Sequence, residues 1–376
     1  MPNAPHGSRP LVLFAGHMGG LMNVKYSFLT AMARDYAFDA HFLSTAARDV
    51  KTLHALGLPA SLAPQASAKL ASRAAMIVLD NFPHIAGLRQ EDLRGKQTLQ
   101  LWHGVPLKKI GFPEIASPVN MTPEKARYLE INYSGYTAVI SSSPWTTGEL
   151  FARAFRAEAF LETGFPRNDI LARDPGKADM IHVDTDMYGF LRRHKAAGGK
   201  VVVYMPTFRD TGGTFLSDNA LDIGLINTFC KKHNIFFLAK FHPSMQISTE
   251  GSLEAFAVYD SRLDIYPVLR LADALVSDYS SVYFDFMYVD KPLIFYPYDR
   301  DRYLSRDREL FFDYEAFTPG EHVTTQEALL QAIREATVAG RDPHAAARRA
   351  LRDRVFGAVD AGASDRVCSW IRERVA

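Results

Sequence analysis

A histidine and a glycine stand where a short apolar run of the sequence ends, in the segment QLWHGVPLKKIG. His103 and Gly104 follow the apolar residues that predict a β-strand. Open α/β sheets bind ligands at the carboxyl ends of their strands, which gives this imidazole access to a ligand. Gly104 lets a backbone N–H group approach an anion without a Cβ in the way. The segment, called here the His103 loop (residues 100–111), is predicted to be an active-site loop. The alternative is a structural histidine beside a buried tryptophan.

Two adjacent hydroxyl side chains, Ser280 and Ser281, follow a second apolar run. They separate the strand-like DALVS from the helix-like FDFMYV, so they are expected at a helix N-terminus. The exposed N–H groups and the macrodipole at such an end favour phosphate. Ordinary N-capping by serine is the structural alternative.

Three further loops carry cationic or hydroxyl side chains after predicted strands. KFHP contains Lys240 and His242, YMPTFRD contains Thr207 and Arg209, and GFPRND contains Arg167. Each of these residues taken alone has a structural explanation. Five such loops at strand ends together predict one anion-binding cleft.

The DxD pattern at Asp184 and Asp186 is typical of transferases that hold a divalent metal over a diphosphate. It lies in a polar stretch with no strand before it, so capping or turn chemistry is the expectation. The sequence contains neither a GxGxxG fingerprint nor a GxxxxGK[ST] phosphate loop. We therefore expect no metal and no cofactor.

Short apolar runs alternate with helical segments along the chain, which predicts βαβ units and parallel sheets. The runs are LVLFA from Leu11, AHFLS from Ala40, MIVLD from Met76, QTLQLW from Gln97, TAVIS from Thr137, AFLE from Ala159, KVVVYMP from Lys200, IFFLAKF from Ile235, DALVS from Asp273 and PLIFYP from Pro292.

The 376-residue chain exceeds the roughly 250–300 residues at which a single core stops growing, so two domains are expected. The predicted units are an N-terminal Rossmann-like domain over 1–175, a linker over 176–199, a C-terminal Rossmann-like domain over 200–363 and an amphipathic helix over 364–376. Apolar residues spaced three and four apart define the face of that helix. The face could pack on either domain.

Composition excludes several classes of protein. Hydrophobic residues make up 47% of the chain and charged residues 23%, which excludes whole-chain disorder. The 43 basic and 42 acidic residues balance, so nothing indicates a nucleic-acid partner. Two distant cysteines fit a reducing cytosol. The first apolar run is too short for a signal peptide, and no run approaches the ~20 apolar residues of a membrane span. A soluble or peripheral protein is expected.

Six of these motifs, in order and at similar spacing, resemble the CDP-glycerol glycerophosphotransferase family, bacterial enzymes that build teichoic acids and related capsule polymers. The resemblance runs from about Gln97 to Gly320 and is carried by WHGVPLKKIG, GFPRNDIL, YMPTFRD, KFHP, ADALVSDYSSVYFDF and KPLIFYPYDRDRYLSRDRELFFDYE. It implies a GT-B-like fold of two Rossmann-type domains facing across a cleft. It also implies metal independence and a CDP-glycerol donor held mainly by the C-terminal domain.

The resemblance further implies site residues. His103 and His242 correspond to the two histidines expected to be catalytic. The implied donor contacts are Trp102, Gly104, Val105, Pro106, Arg167, Pro206, Thr207, Lys240, Phe241, Ser280, Ser281 and Asp285. Val105 replaces a threonine that is frequent at its place in the family, which removes a hydroxyl contact there.

The implied reaction is attack of an acceptor hydroxyl on the β-phosphorus of CDP-glycerol, with loss of CMP. His103 is expected to act as base, while His242, Arg167, Lys240 and the two serines stabilise charge on the diphosphate. The expected acceptor is a cell-surface polymer or its lipid-linked primer at the cytoplasmic face of the membrane. The alternatives are a CDP-ribitol transferase, a GT-B sugar-nucleotide glycosyltransferase and a non-catalytic nucleotide-binding partner of a capsule assembly complex.

Overall fold

The computed structural model describes residues 9–209, 221–241 and 253–376, in which thirteen strands form two parallel sheets. The first sheet contains β1 (Leu11–Ala15), β2 (Asp39–Ser44), β3 (Ala60–Leu62), β4 (Ala74–Leu79), β5 (Gln97–Gln100), β6 (Ser134–Ile140) and β7 (Arg156–Leu161). The second contains β8 (Lys200–Met205), β9 (Ile235–Ala239), β10 (Phe256–Val258), β11 (Ala274–Ser277), β12 (Leu293–Phe295) and β13 (Glu321–His322).

Both sheets are doubly wound. The first has the strand order β3-β2-β1-β4-β5-β6-β7 and the second β10-β9-β8-β11-β12-β13. The winding reverses between β1 and β4 in one sheet and between β8 and β11 in the other, and such switch points are where open sheets bind ligands. The prediction of two Rossmann-type sheets is confirmed.

Continuous apolar runs form the central strands, because parallel sheets are covered on both faces. β9 is buried along its whole length, and β8 is buried except at its two ends. All ten predicted runs are strands. The sequence prediction missed β3, β10 and β13, which are edge strands of two or three residues without an apolar run.

The described ranges contain seventeen α-helices. These are α1 (Asn23–Ala33), α2 (Ala47–Ala55), α3 (Ser67–Arg73), α4 (Phe112–Ile115), α5 (Pro123–Asn132), α6 (Pro144–Thr146), α7 (Ala152–Ala154), α8 (Asp169–Ala172), α9 (Thr185–Ala196), α10 (Ile223–Lys232), α11 (Tyr266–Leu269), α12 (Val282–Phe286), α13 (Arg300–Arg306), α14 (Tyr314–Phe317), α15 (Gln326–Thr337), α16 (Ala345–Val355) and α17 (Ala363–Val375). Short 3₁₀ turns span Gln90–Leu93, Pro166–Asn168 and Ala178–Met180, and a π turn spans Thr147–Phe151.

The DxD segment begins helix α9. The Asp184 carboxylate accepts a hydrogen bond of 2.9 Å from the backbone N–H of Met187 and so caps the helix. The expectation of capping chemistry at this motif is confirmed.

The last helix, α17, packs on the first domain. Its Asp365 accepts a hydrogen bond of 2.5 Å from the hydroxyl of Tyr36, and the Cys368 thiol donates to the carbonyl oxygen of Ser27 in α1. Asp169 in turn accepts the backbone N–H groups of the first two residues of α17. The chain therefore ends on the domain with which it began.

Buried charges join the two sheets. Lys25 in α1 lies 2.7 Å from Asp264, which precedes α11, and both side chains are fully buried. The hydroxyl of Tyr26 donates to the same carboxylate oxygen at 2.7 Å.

Since the first sheet ends at Leu161 and the second begins at Lys200, we propose domain boundaries at 175, 199 and 363. No described helix has the length and apolar character that crossing a membrane requires.

Candidate active site

His103 lies just beyond the end of β5, in the position that the sequence predicts. Its ring stacks on the indole of Trp102 with centroids 3.9 Å apart. Its Nδ1 atom lies 3.3 Å from the carbonyl oxygen of Asp80, which follows the neighbouring strand β4. In the tautomer that donates this hydrogen bond, Nε2 keeps a lone pair. That nitrogen is the candidate base.

Burial and the positive charge of Arg167 lower the pKa of His103 to about 3. The imidazole is therefore neutral at physiological pH. A neutral imidazole accepts a proton, so the site suits general-base chemistry rather than proton donation.

The backbone of Trp102 adopts a positive φ of 48°. Its N–H donates to the side-chain oxygen of Gln100, and its carbonyl oxygen accepts from the Asn23 amide, each at 2.9 Å. A left-handed conformation at a bulky residue is held only where its surroundings impose it. These two hydrogen bonds therefore fix the direction in which the His103 loop leaves the sheet.

Gly104 makes room for a guanidinium group. Its φ is +99°, and a Cβ there would lie 2.3 Å from Nη2 of Arg167. The sequence predicts that this glycine lets an anion approach the backbone. In the structure, a cation occupies the space. The next two residues, Val105 and Pro106, are buried.

Arg167 and Asp285 form a buried ion pair between the two domains. Arg167 Nη2 lies 2.5 Å from a carboxylate oxygen of Asp285 and donates to the His103 carbonyl oxygen at 2.7 Å. Its Nη1 donates to the Leu21 carbonyl oxygen at 3.2 Å. The Tyr266 hydroxyl donates to the same oxygen of Asp285 at 2.6 Å. Four of the predicted site residues, His103, Gly104, Arg167 and Asp285, are thus brought together.

A second group lies at the switch point between β8 and β11. The backbone N–H of Thr207 donates to Asp278 at 2.8 Å, while the buried Thr207 hydroxyl has no hydrogen-bond partner among the described residues. Arg209, which the sequence places in the predicted anion-binding cleft, is held between Asp278 and Asp299 at 2.8–2.9 Å. The threonine hydroxyl is therefore the group left for a ligand here. Pro206 beside it is partly buried.

Ser280 and Ser281 precede helix α12, as predicted, and both are partly buried. Helix α12 has only five residues. Ser281 occupies its N-cap position, but within the described part of the chain its hydroxyl makes no capping hydrogen bond. The capping explanation is therefore not seen for this side chain.

The ammonium group of Lys240 donates hydrogen bonds to the backbone of residues 260–263, called here the Arg262 loop. Its ammonium group donates to the carbonyl oxygens of Ser261 at 3.0 Å and Leu263 at 2.6 Å, and burial lowers its pKa to about 8. Phe241 is buried against the ring of Tyr204. His242 lies outside the described residues.

The lysines of the His103 loop support it. The backbone N–H of Lys109 donates to the Glu309 carbonyl oxygen at 2.9 Å, and its ammonium group lies 3.1 Å from the Glu309 carboxylate. Lys108 and Leu310 form an antiparallel bridge. The loop from the first domain is thus tied to a segment of the second.

Sequence reasoning missed Asp80 and Tyr266. Asp80 directly follows the run MIVL, so the strand-end criterion that identified His103 could also have found it. Tyr266 follows no apolar strand. Its place beside Asp285 depends on the packing of α11, which no local pattern encodes.

Two doubly wound domains whose strand-end loops meet define a GT-B-like transferase fold. The chain matches the family model described as CDP-Glycerol:Poly(glycerophosphate) glycerophosphotransferase over residues 11–373, and it belongs to this family.

Relatives agree with this assignment. The chain is 29% identical over 248 residues to a teichoic acid poly(glycerol phosphate) polymerase of Bacillus spizizenii, covering 64% of this chain and 61% of the relative. It is 30% identical over 286 residues to a teichoic acid glycerol-phosphate transferase of Staphylococcus aureus, covering 73% and 70%. The chain thus spans less than two thirds of the length of the first relative. The wall teichoic acid polymerase TagF has a similar fold, with a TM-score of 0.73 at 22% identity over 98% of this chain and 89% of that one.

Proposed function

We propose that this protein transfers glycerol phosphate from CDP-glycerol to a hydroxyl group of a cell-surface polymer or its lipid-linked primer, with release of CMP. The observation that carries the proposal is a neutral His103 fixed at the meeting point of the two domains, in a member of this family. The family description names glycerophosphate, so we favour CDP-glycerol over CDP-ribitol as donor.

In the proposed reaction, the acceptor oxygen forms a bond to the β-phosphorus while the bond from that phosphorus to the CMP oxygen breaks. Nε2 of His103 takes the proton of the hydroxyl. A positioned base typically contributes 10²–10⁴-fold to such a step. CMP leaves with the electron pair of the broken bond.

We propose that the second domain holds the donor diphosphate. The free hydroxyl of Thr207 and the partly buried Ser280 and Ser281 supply hydrogen bonds, and Lys240 and His242 supply positive charge. Preorganised donors of this kind stabilise charge that develops in the transition state. Pro206 and Phe241 would shape the adjacent wall.

In this proposal, the main role of Arg167 and Asp285 is to hold the His103 loop in place. The terminal nitrogens of Arg167 are taken up by Asp285 and by backbone carbonyl oxygens, including that of His103. Its charge adds to the positive potential at the diphosphate, while its hydrogen bonds hold His103. Trp102, Gly104, Val105 and Pro106 complete the loop that borders the donor.

The test measures CMP release by the full chain supplied with CDP-glycerol and glycerol-phosphate acceptors, and identifies the product by mass spectrometry. We expect His103→Ala to lower turnover at least about 100-fold with an unchanged circular dichroism spectrum. Near-normal turnover of this variant would exclude His103 as base.

Parallel reactions separate the alternatives. Faster turnover of CDP-ribitol would reassign the donor, and a product that carries sugar without phosphate would indicate a glycosyltransferase. Binding of CDP-glycerol without CMP release from any acceptor would favour a non-catalytic role.

We also propose that the enzyme works at the inner face of the cell membrane, where a lipid-linked acceptor would be located. Sedimentation with phospholipid vesicles, with and without the lipid-linked acceptor, tests this location. Recovery of all the protein in the supernatant in both cases would contradict it.

A further inference from the structure

A second histidine lies beside the candidate active site without a part in the reaction described above. His17 follows β1, Asp80 follows β4 and His103 follows β5. Strand β4 lies between β1 and β5 in the sheet, so the axes of β1 and β5 are about 10 Å apart. His17 and His103 therefore flank Asp80 at one edge of the sheet.

A buried carboxylate supports His17 from behind. The Asp49 side chain in α2 is 2% exposed and accepts hydrogen bonds of 2.9 Å from the Met18 N–H and the Ser44 hydroxyl. Its Oδ2 atom lies 3.7 Å from Nδ1 of His17, and its Oδ1 atom lies 3.4 Å from Nε2 of His182. This fixed negative charge favours the protonated form of the imidazole.

The other side of His17 is open. Its side chain is 38% exposed, and its Nε2 atom lies 3.2 Å from the hydroxyl of Thr45, which is itself exposed. A Cβ added at Gly20 would meet no atom within 4 Å. Arg48 adds an exposed cation in the first turn of α2. An anionic group can thus approach His17 and the Thr45 hydroxyl from solvent.

We propose that His17, held by Asp49 and assisted by the Thr45 hydroxyl, binds a phosphate group of the acceptor next to the hydroxyl that reacts at His103. This inference rests on the proposed function, because a chain of glycerol phosphates places a phosphate one glycerol unit away from its terminal hydroxyl. His103 is neutral and takes a proton. At His17, the neighbouring Asp49 carboxylate favours the protonated ring, which can bind the negative charge of a phosphate.

The groups that face His17 determine how the binding of an acceptor phosphate should depend on pH. Asp49 contributes the largest effect and raises the pKa of His17, burial opposes it, and Asp80 and the Ile85 carbonyl oxygen raise it further. His182 faces the same carboxylate from the linker. Because the imidazole loses its charge as pH rises through this pKa, the KM of a phosphate-bearing acceptor should increase with pH.

The experiment compares two acceptors in the CMP-release assay, glycerophosphoglycerol and the uncharged glycerol. We expect His17→Gln to raise the KM of glycerophosphoglycerol about 10-fold or more, since a hydrogen bond to a charged group is lost. The kcat, the KM of CDP-glycerol and the KM of glycerol should change less than twofold. The pH dependence of the glycerophosphoglycerol KM should disappear. His194→Gln, on α9 in the linker, is the matched control and should leave all values unchanged.

Equal effects of His17→Gln on both acceptors, or an effect on the KM of the donor, would overturn the proposal. Calorimetric titration of glycerophosphoglycerol without donor separates it from the proposed function. If the wild-type chain releases no CMP but binds this probe more tightly than His17→Gln, the proposed function fails and the phosphate site stands. If the two proteins bind the probe equally and their KM values agree, the phosphate site is excluded.

Discussion

At the residue scale, the protonation state of His103 is set by its neighbours. Burial and Arg167 lower its pKa to about 3, compared with about 6.5 for an unperturbed histidine. The group that the sequence identified as a candidate base is thus in the form that a base requires. Binding of a diphosphate beside it would raise this pKa, because nearby negative charge favours the protonated ring.

His103 also makes stability depend on pH. Between about pH 6.5 and pH 3 the unfolded chain binds a proton at this residue and the folded chain does not, so stability falls as pH decreases. We expect His103→Gln to lose less stability than the wild type between pH 7 and pH 5 in urea denaturation. At pH 8 the imidazole is neutral in both the folded and the unfolded chain. The difference in stability between wild type and variant at that pH is therefore the reference. An equal loss in both proteins would show that the imidazole protonates freely in the folded state.

Replacement of Gly104 by alanine is expected to impair the reaction. In Gly104→Ala the new Cβ would meet Arg167 Nη2, which belongs to a buried side chain held by Asp285. We expect the rate of CMP release to fall about 100-fold, since displacement of a reacting group by about 1 Å has effects of this size.

Gly95→Ala is the matched control. Its φ of +70° imposes similar backbone strain, but a Cβ there meets no atom within 4 Å. This variant should lose about 1 kcal/mol of stability and keep its activity. If both variants were equally active, the contact between Gly104 and Arg167 would not matter for catalysis.

At the element scale, one glycine-dependent contact brings the two domains together. The first turn after β1 reaches the Arg262 loop so closely that a Cβ on Gly19 would lie 2.0 Å from the Arg262 carbonyl oxygen. Lys240 holds the Arg262 loop through its carbonyl oxygens. The two turns are therefore backbone surfaces in direct contact.

Gly19→Ala should push these turns apart. Neither backbone can rotate away as a side chain would, so we expect a loss of about 1–3 kcal/mol in the free energy of unfolding, measured in urea. Gly148→Ala, whose Cβ would meet no atom within 4 Å, should change stability by less than about 0.5 kcal/mol. Equal stabilities of the two variants would mean that the turns separate without cost.

The long strands could be predicted from the sequence because burial on both faces requires continuous apolar runs. The edge strands β3, β10 and β13 could not, since two or three residues with one neighbour need no such run. His103 could be predicted as a candidate site residue because it follows a strand. The pairing of Arg167 with Asp285 joins residues 118 positions apart and depends on how the domains pack. No local spacing encodes that distance.

At the scale of the whole molecule, buried polar contacts hold the two domains. Lys25 donates to Asp264 and to the carbonyl oxygens of Asp179 and Ile181, so its charge is fully surrounded. Replacing one partner of such a pair lowers the free energy of unfolding strongly, because the other charge stays buried without a partner.

Lys25→Met should therefore lower the free energy of unfolding by about 3–5 kcal/mol, and the double variant Lys25→Met with Asp264→Asn should lose less. Lys195→Met serves as control, because its pair with Asp273 is partly exposed and exposed pairs contribute about 0–1 kcal/mol. Urea denaturation measures all three. A loss for Lys25→Met no greater than for Lys195→Met would contradict the role given to the buried pair.

The place of α17 has a consequence for how the chain is made. At about 5–20 residues per second, a ribosome completes α17 roughly 15–70 s after α1, the helix on which α17 packs. During that interval only the face of α1 that packs on α17 lacks its partner, because Phe28 of α1 already contacts Phe14 in β1 and Phe42 in β2, while the second sheet is being synthesised. The first domain therefore completes its packing only after the second sheet has been synthesised, and the face of α1 that α17 covers stays exposed until then.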